Sequence, residues 1–257
     1  MTDILSSRRR LGAPFAVLAC AVVVLAGCAQ QPAPSGINDP MEANNREIHA
    51  FNRAVDRAIL RPVSGGYANI LPAPLEQGVN NLASNLDAPG DILNGLLQGR
   101  PHHALENTLR FAVNTTVGIG GLFDPATALG INGRSTDFGE TLHVWGAPEG
   151  NYVEFPLMGP TTERDLVGTF ADVALNPLRT VLPTREANAA TIFKFGSRLG
   201  DRARYSETVD SVLYDSADSY AQARLLYLQN RRYELGQTGG ATGDEDFIDP
   251  YEDLYGQ

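Results

Sequence analysis

The 257-residue sequence contains little cysteine and, after its first 27 residues, no long apolar run. Two cysteines, Cys20 and Cys28, are too few for a disulfide framework or a cysteine metal cluster. Since no later segment has 18 uninterrupted apolar residues, none is expected to cross a bilayer as a simple helix. These shortages exclude a disulfide scaffold and a protein with several membrane-spanning helices.

Catalytic motifs are also missing. The four histidines form no H-E-x-x-H pair, and the chain has no G-x-S-x-G elbow, no P-loop and no dinucleotide fingerprint. Acidic pairs such as Asp124 and Asp137 are expected by chance in so acidic a chain, and Asp124 before Pro125 is typical of a helix cap. We therefore predict a non-enzyme without a metal site or cofactor. An envelope hydrolase is a hypothesis that only the abundant carboxylates support.

The first 28 residues have the layout of an export signal. Three arginines, Arg8 to Arg10, precede the uncharged and mostly apolar stretch 11–27. The ending Leu-Ala-Gly-Cys28 resembles the lipobox of bacterial lipoproteins, in which the cysteine becomes the first mature residue and carries acyl chains. Ala29 stands where an inner-membrane retention signal would be Asp, which by resemblance indicates the outer membrane. The alternative is an uncleaved membrane helix at the short limit for spanning a bilayer.

Negative charge dominates the predicted mature chain. Without residues 1–27 the chain keeps 17 basic and 29 acidic residues, a net charge of −12, which argues against nucleic acid as a partner. No lysine or arginine follows Arg232, and the glycine-rich, acidic end predicts a disordered tail. The predicted organisation is a signal peptide (1–27), a lipidated linker (28–38), a helical domain (39–235) and an acidic tail (236–257).

Apolar periodicity in the middle of the chain predicts helices. Asp39 as N-cap and Pro40 at the first helical position begin one, and Pro62 is expected to end it. Further helices are predicted at about 75–86, 92–97, from Pro101 onward, and at 163–175, 187–205 and 216–234. The stretch 152–155 has weak strand character. The predicted fold class is all-α with a small extended hairpin.

Two compact apolar pieces, 117–123 and 155–158, are flanked by glycine and proline. Half of a bilayer's hydrocarbon core is about 15 Å thick, which about 10 residues of helix cover. Short apolar helices together with a lipid anchor favour a protein sunk into one leaflet. A soluble helical domain with an ordinary core is the alternative that composition leaves open.

Several motifs, in order from about Asp39 to Tyr233, are similar to those of the MlaA/VacJ family of outer-membrane lipoproteins. The motifs are DPMEANNR, AFNRAVDRAILRP, LPAPLEQGVNNLASNLDAPGDILNGLLQGRP, RFAVNTTVGIGGLFDPA, DFGETLHVWG and YVEFPLMGPTTERD. The resemblance implies a ring-like bundle of amphipathic helices that lies in the inner leaflet of the outer membrane of a Gram-negative bacterium, on its periplasmic side.

The same resemblance implies a function in lipid transport. Mislocalised outer-leaflet phospholipids would enter an amphipathic channel and pass to a soluble periplasmic phospholipid carrier, which keeps the outer membrane asymmetric. Trimeric porins are the implied protein partners. The alternative is a structural lipoprotein that binds porins without moving lipid.

The resemblance also implies site residues. A hairpin segment at the channel would be mobile, with Gly146 and Gly150 as flexible points, although Pro148 departs from the family pattern and restricts the backbone there. The side chains expected to meet lipid or the ring wall are those of Trp145, Tyr152, Phe155, Leu157 and Met158. Three glycines, Gly118, Gly120 and Gly121, are expected either to allow close helix packing in lipid or to form the turn after a helix.

Overall fold

The computed structural model describes residues 37–178 and 182–237; Cys28, the predicted signal peptide and nearly all of the predicted linker and acidic tail lie outside these ranges. The helices are α1 Glu42–Val55, α2 Arg61–Ile70, α3 Ala73–Leu97, α4 Pro101–Thr116, α5 Pro125–Ala128, α6 Phe138–Val144, α7 Glu163–Leu175, α8 Thr184–Arg204, α9 Ser206–Asp210 and α10 Ser219–Glu234. Two strands, β1 Tyr152–Phe155 and β2 Gly159–Thr162, pair antiparallel as a hairpin. The predicted all-α fold with a small hairpin is confirmed.

The first helix does not end at Pro62, so that prediction is wrong. A wide π turn, Asp56–Leu60, joins α1 to α2, and Pro62 lies in the first turn of α2. Proline lacks the N–H of an interior helical residue, and here it directly follows the irregular hydrogen bonding of the π turn. The continuous helix ends only at Leu71, which is extended ahead of Pro72.

The predicted helices 75–86 and 92–97 are a single helix, α3, which continues through Pro89. A proline inside a helix costs about 3 kcal/mol or more. Contacts with α4 and α8 along the length of α3 offset that cost. Tertiary packing therefore joins two segments that the local pattern separates.

The contacts between elements close into a circuit. Helix α3 contacts α6, α6 contacts α7, and α7 contacts β2 of the hairpin. Strand β1 contacts α1, α1 leads through the π turn into α2, α2 packs on α8, and α8 returns to α3. The helices therefore form the ring-like bundle that was expected.

Most of the fully buried side chains are polar, and many large apolar side chains are exposed. Among the described residues, 17 polar or charged residues are buried, against 8 apolar ones, of which four are alanines. In the same part of the chain, 29 large apolar side chains are exposed. Within the described ranges, no helix has both the length and the apolarity needed to cross a membrane.

Candidate functional site

Three clefts adjoin one another around Ser135, which lines all of them. The first, of about 340 Å³, lies between α3, the start of α6, the end of α7 and Arg198 of α8. The second, of about 740 Å³, extends toward Arg100 and the end of α10. The third, of about 300 Å³, lies between α3, Arg110 of α4 and the segment 132–135. The walls of the clefts include four helices of the ring, α3, α6, α7 and α8.

The segment 132–137 is fixed by side chains of the neighbouring helices. Asn107 binds both backbone groups of Arg134, as donor to the carbonyl at 2.9 Å and as acceptor from the N–H at 3.0 Å. The N–H of Thr136 donates to Asp91 Oδ1 at 3.0 Å. At Gly133 a Cβ would lie 2.6 Å from Asn107 Oδ1, so only glycine fits there without displacement. The wall shared by the three clefts is therefore held in one position.

Charges of both signs line the clefts. Asp87, Asp91 and Asp172 contribute carboxylates to the first cleft, and Arg198 contributes a guanidinium. Arg100 pairs with the buried Glu140 in the second. Burial raises the pKa of Asp91 to about 7; the Thr136 N–H opposes this rise, and the nearby Asp87 and Asp172 add to it. Such a surface can receive a charged head group in a narrow space.

We expect Asp91→Asn to stabilise the protein at high pH. The pKa of Asp91 is above its usual 3.8, so the folded state binds its proton more tightly than the unfolded state. The associated stability is complete below about pH 4 and is lost as pH rises through about 7. At pH 8 the variant should be about 1–2 kcal/mol more stable, which is below the full effect of the shift because Asp91 is partly exposed.

Thermal denaturation of both proteins in nonionic detergent at pH 8 and pH 4.5 measures this difference. Asparagine keeps an oxygen to accept the Thr136 N–H, so loss of that hydrogen bond does not confuse the comparison. An equal difference at the two pH values would contradict the assignment of the effect to ionisation of Asp91.

The first half of the expected hairpin site lies against α3 and α7. Trp145 is 57 % exposed, yet its indole N–H donates to the Leu97 carbonyl at 3.0 Å. Gly146 has a φ of +87° and ends α6. Gly150 has a φ of +76°, and a Cβ there would lie 2.7 Å from Glu163 Oε2. Both expected flexible points therefore have specific conformations that favour glycine.

The second half of that site divides into a buried part and an exposed tip. Tyr152 is buried, and Phe155 stacks edge-on against Phe170 of α7. At the tip, Leu157 has a φ of +65° and is 73 % exposed, and Met158 beside it is also exposed. Of the four predicted site residues in this half, Leu157 and Met158 are the exposed ones.

The strained tip is tied to α1. The Leu157 N–H donates to Asn52 Oδ1 at 2.7 Å, and Asn52 Nδ2 donates to the Phe155 carbonyl at 3.0 Å. A positive φ at leucine is uncommon and persists only where the surroundings enforce it. The two hydrogen bonds with Asn52 hold Leu157 in this conformation. Movement of the tip would have to break these two hydrogen bonds first.

A buried polar cluster at the base of the hairpin was missed by the sequence analysis. His49 Nδ1 lies 2.9 Å from Glu154 Oε1, and its Nε2 lies 3.0 Å from Ser219 Oγ of α10. Asn45 is fully buried and binds the Tyr152 carbonyl and the Glu154 N–H. A signal did exist, because Asn45, His49 and Asn52 recur at helical spacing on α1. The cluster therefore links α1, near the start of the helical domain, and α10, near its end, to strand β1 of the hairpin.

Asp39 belongs to the same polar region and is not the N-cap of α1, contrary to prediction. Met41 occupies that position without a side-chain hydrogen bond. Asp39 instead accepts hydrogen bonds from Asn45, Tyr220 and Arg224. The charge-assisted hydrogen bond between a guanidinium and a carboxylate is stronger than the hydrogen bond of an N-cap. The bond from Arg224 therefore determines the conformation of Asp39. By contrast, the predicted cap Asp124 does accept from Thr127 N, at 3.1 Å.

The glycines Gly118, Gly120 and Gly121 lie in the turn that follows α4. Gly120 and Gly121 have φ values of +71° and +100°. A Cβ on Gly118 would lie 2.5 Å from the Asn114 carbonyl, and one on Gly121 would lie 2.5 Å from Asn85 Cβ of α3. They therefore serve a tight turn against α3 and do not lie in an interface between two helices.

In residues 37–178 and 182–237, no three or more His, Cys, Asp or Glu side chains are grouped so that they could hold a metal ion. The fold and clefts define a class of protein: a ring-like bundle of helices with charged clefts and many exposed apolar side chains.

Comparison with known proteins identifies the family. The model of the MlaA lipoprotein family matches residues 37–234, and the chain belongs to that family. The chain is 31% identical over 231 residues to the "Intermembrane phospholipid transport system lipoprotein MlaA" of Escherichia coli (strain K12), with 88% of this chain and 89% of the relative covered. The protein of that name from Haemophilus influenzae is 31% identical over 221 residues, with 83% and 86% covered.

Two further similarities extend this result. An uncharacterised protein of Rickettsia bellii is 35% identical over 196 residues, with 76% of each chain covered. A solved structure described as "Structural basis for maintenance of bacterial outer membrane lipid asymmetry" matches with a TM-score of 0.66 and 32% identity, covering 77% of this chain and 98% of the other. The fold of the described region is therefore that of the family.

Proposed function

We propose that the chain is an outer-membrane lipoprotein that removes mislocalised phospholipids from the outer leaflet and passes them to a soluble periplasmic carrier. Acyl chains on Cys28 would anchor it in the inner leaflet, on the periplasmic side. The helices would lie within that leaflet, and trimeric porins would surround them. The protein would provide a path and perform no chemistry.

The distribution of polar and apolar groups carries this proposal. Many large apolar side chains are exposed, as contact with the hydrocarbon of a leaflet requires, and buried polar groups are hydrogen-bonded to one another. Backbone groups in hydrocarbon must be satisfied internally, which favours helices. The one described sheet is a short hairpin tied to α1.

The clefts supply a polar route through an apolar body. A phospholipid that changes leaflets must move its charged head past hydrocarbon, and burial of a charge without partners costs several kcal/mol. The arginines and carboxylates around Ser135 offer partners to both the phosphate and an ammonium group. The exposed apolar side chains outside would accommodate the acyl chains. The curated relatives of E. coli and H. influenzae, named for phospholipid transport, support this assignment.

We expect Gly90→Trp to block the path without preventing folding. Gly90 lines the first cleft, and nothing lies within 4 Å of a Cβ built on it, so a large side chain can enter the open space. In cells that lack the native protein, this variant should leave surface-exposed phospholipid as high as in the deletion strain. The measurement is the amount of outer-leaflet phospholipid, with the quantity of protein in the outer membrane measured in parallel.

Gly65→Trp is the matched control, because Gly65 on α2 also has open space around it and lines none of the described clefts. It should restore asymmetry, as should Gly90→Ala. If Gly90→Trp restores asymmetry fully, the cleft is not the path. Suppose that the protein binds porins but that its deletion leaves outer-leaflet phospholipid unchanged. The chain is then a structural porin-binding lipoprotein instead.

A further inference from the structure

Outside the clefts, three arginines of one helix gather around a single aromatic ring. The guanidinium carbons of Arg53, Arg57 and Arg61 lie 5.7, 4.9 and 5.0 Å from the centre of the Tyr214 ring. Residues four apart on an α-helix are rotated by about 40° from one another. The π turn Asp56–Leu60 takes up an extra residue within this stretch and so brings the three side chains into line.

The cluster has more positive than negative charge. Arg202 binds the buried Asp56 through two hydrogen bonds of 2.9 Å and also binds Asp210, which pairs with Arg61 at 2.7 Å. Tyr214 donates to Asp56 as well, at 2.7 Å. Within the described ranges, Arg53 and Arg57 form no ion pair, so two carboxylates face four guanidiniums. Arg53 and Arg57 therefore lie over one ring without an ion-pair partner, in a chain whose net charge is negative.

An apolar groove begins at this cluster. It has a volume of about 190 Å³, and its apolar lining includes Val55, Leu60, Leu213 and the hairpin tip residues Leu157 and Met158. Arg53 also lines it, as do the carboxylates of Asp56 and Glu154. It shares no lining residue with the three clefts around Ser135. In the π turn, the exposed Ile59 lies between Arg57 and Arg61 in sequence and adds apolar surface. The positively charged arginine cluster thus adjoins a groove that can take a hydrocarbon chain.

We propose that this is a binding site for one anionic glycerophospholipid, separate from the transport path. Its phosphate diester would bind Arg53 and Arg57, and one acyl chain would lie in the groove beneath the hairpin tip. Guanidiniums bind phosphate oxygens through charge-assisted, often paired hydrogen bonds. A zwitterionic lipid would place an ammonium group beside the arginines and be disfavoured. Because Leu157 and Met158 line the groove, a bound lipid contacts the tip that Asn52 holds.

The test is a titration of the full-length protein, purified in nonionic detergent, with short-chain phosphatidylglycerol below its micelle concentration. One molecule should bind per chain, and phosphatidylcholine of equal chain length should bind more weakly. The double variant Arg53→Gln/Arg57→Gln should weaken phosphatidylglycerol binding about 30-fold, since each basic group near an anionic lipid contributes ~1 kcal/mol. Circular dichroism of the variant checks that it is folded.

Arg204→Gln is the control, because it removes one charge from an exposed arginine that pairs with Glu76 and does not line the groove. It should bind as the parent does; an equal loss would show that net charge alone matters and would overturn the site. Equal binding of the two lipids would overturn it too. If inorganic phosphate competes as well as the lipid does, the cluster is a free-anion site and the groove has no role. If the double variant no longer binds phosphatidylglycerol but cells that carry it have normal surface-exposed phospholipid, the transport proposal is unaffected.

Discussion

Gly168→Ala should lower the free energy of unfolding by about 3 kcal/mol, at the upper end of the usual cost of overpacking. Gly168 of α7 faces Gly139 of α6, and a Cβ built on it would lie 2.6 Å from Gly139 Cα and also overlap the Gly139 nitrogen. A clash with a flexible side chain could relax, whereas this one needs a helix to move. For a domain of this size the midpoint of thermal denaturation should fall by about 6–12 °C.

The displaced helix matters because α6 forms one edge of the first cleft. Its first residue, Phe138, donates its N–H to Asp172 Oδ2 at 3.0 Å, and both residues line that cleft. Moving α6 away from α7 would break this bond and change the width of the cleft. We therefore expect that surface-exposed phospholipid rises in cells that carry the variant, even at a temperature where the protein remains folded.

Gly66→Ala is the control for the stability measurement. Gly66 lies inside α2, and nothing lies within 4 Å of a Cβ built there. Alanine in an open helical position stabilises by about 0.5–1 kcal/mol relative to glycine. The two identical substitutions should thus have opposite signs in the same thermal denaturation experiment. A small effect at Gly168 would mean that the two helices separate easily and that their close approach does not position the cleft.

Local signals in the sequence were sufficient to predict a helix that has its own start and stop residues. Helix α4 begins at Pro101 as predicted, and α7 spans the predicted 163–175 with Thr162 as its N-cap. Local signals failed at Pro62 and Pro89, where neighbouring helices keep the chain helical. The strength of that packing depends on residues distant in sequence, and no short window contains them.

The candidate site was predictable only in part, for the same reason. The apolar pieces around Leu157 could be recognised as exposed candidates, because they interrupt a polar context. Asn45, however, gains its role from Tyr152 and Glu154, which are more than 100 residues away. Likewise, nothing local distinguishes Gly168, which touches another helix, from Gly66, which faces open space. Three-dimensional proximity decides between the two kinds of glycine.

Arg231→Met should cost about 3 kcal/mol at pH 7, within the range for breaking a buried ion pair. Arg231 of α10 binds Asp165 at 3.0 Å and Asp137 at 2.7 Å, and Asp165 is buried. Burial alone would raise the pKa of Asp165, but the hydrogen bonds from Arg231 and Tyr227 hold it below its usual value. Without Arg231 a buried carboxylate loses its strongest partner. Denaturation by urea in nonionic detergent measures the loss.

The loss should depend on pH in a definite direction. A carboxyl whose folded pKa is lowered stabilises the protein above its unfolded pKa, near 4, and this stability disappears as pH falls through the folded value. The difference between parent and Arg231→Met should therefore be largest above about pH 5 and shrink below it. The control Arg204→Gln, which breaks an exposed pair, should cost less than about 1 kcal/mol at any pH.

A second substitution separates the ion pair from the packing of the arginine stem. If the unpaired charge of Asp165 causes the loss, Arg231→Met combined with Asp165→Asn should be less destabilised than the sum of the single variants. Simple additivity would instead assign the loss to packing of the long side chain of Arg231. Asp137, which Arg231 also binds, lines the first and second clefts. Coupling between Arg231 and Asp165 would therefore show that the C-terminal helix stabilises the cleft wall through charge.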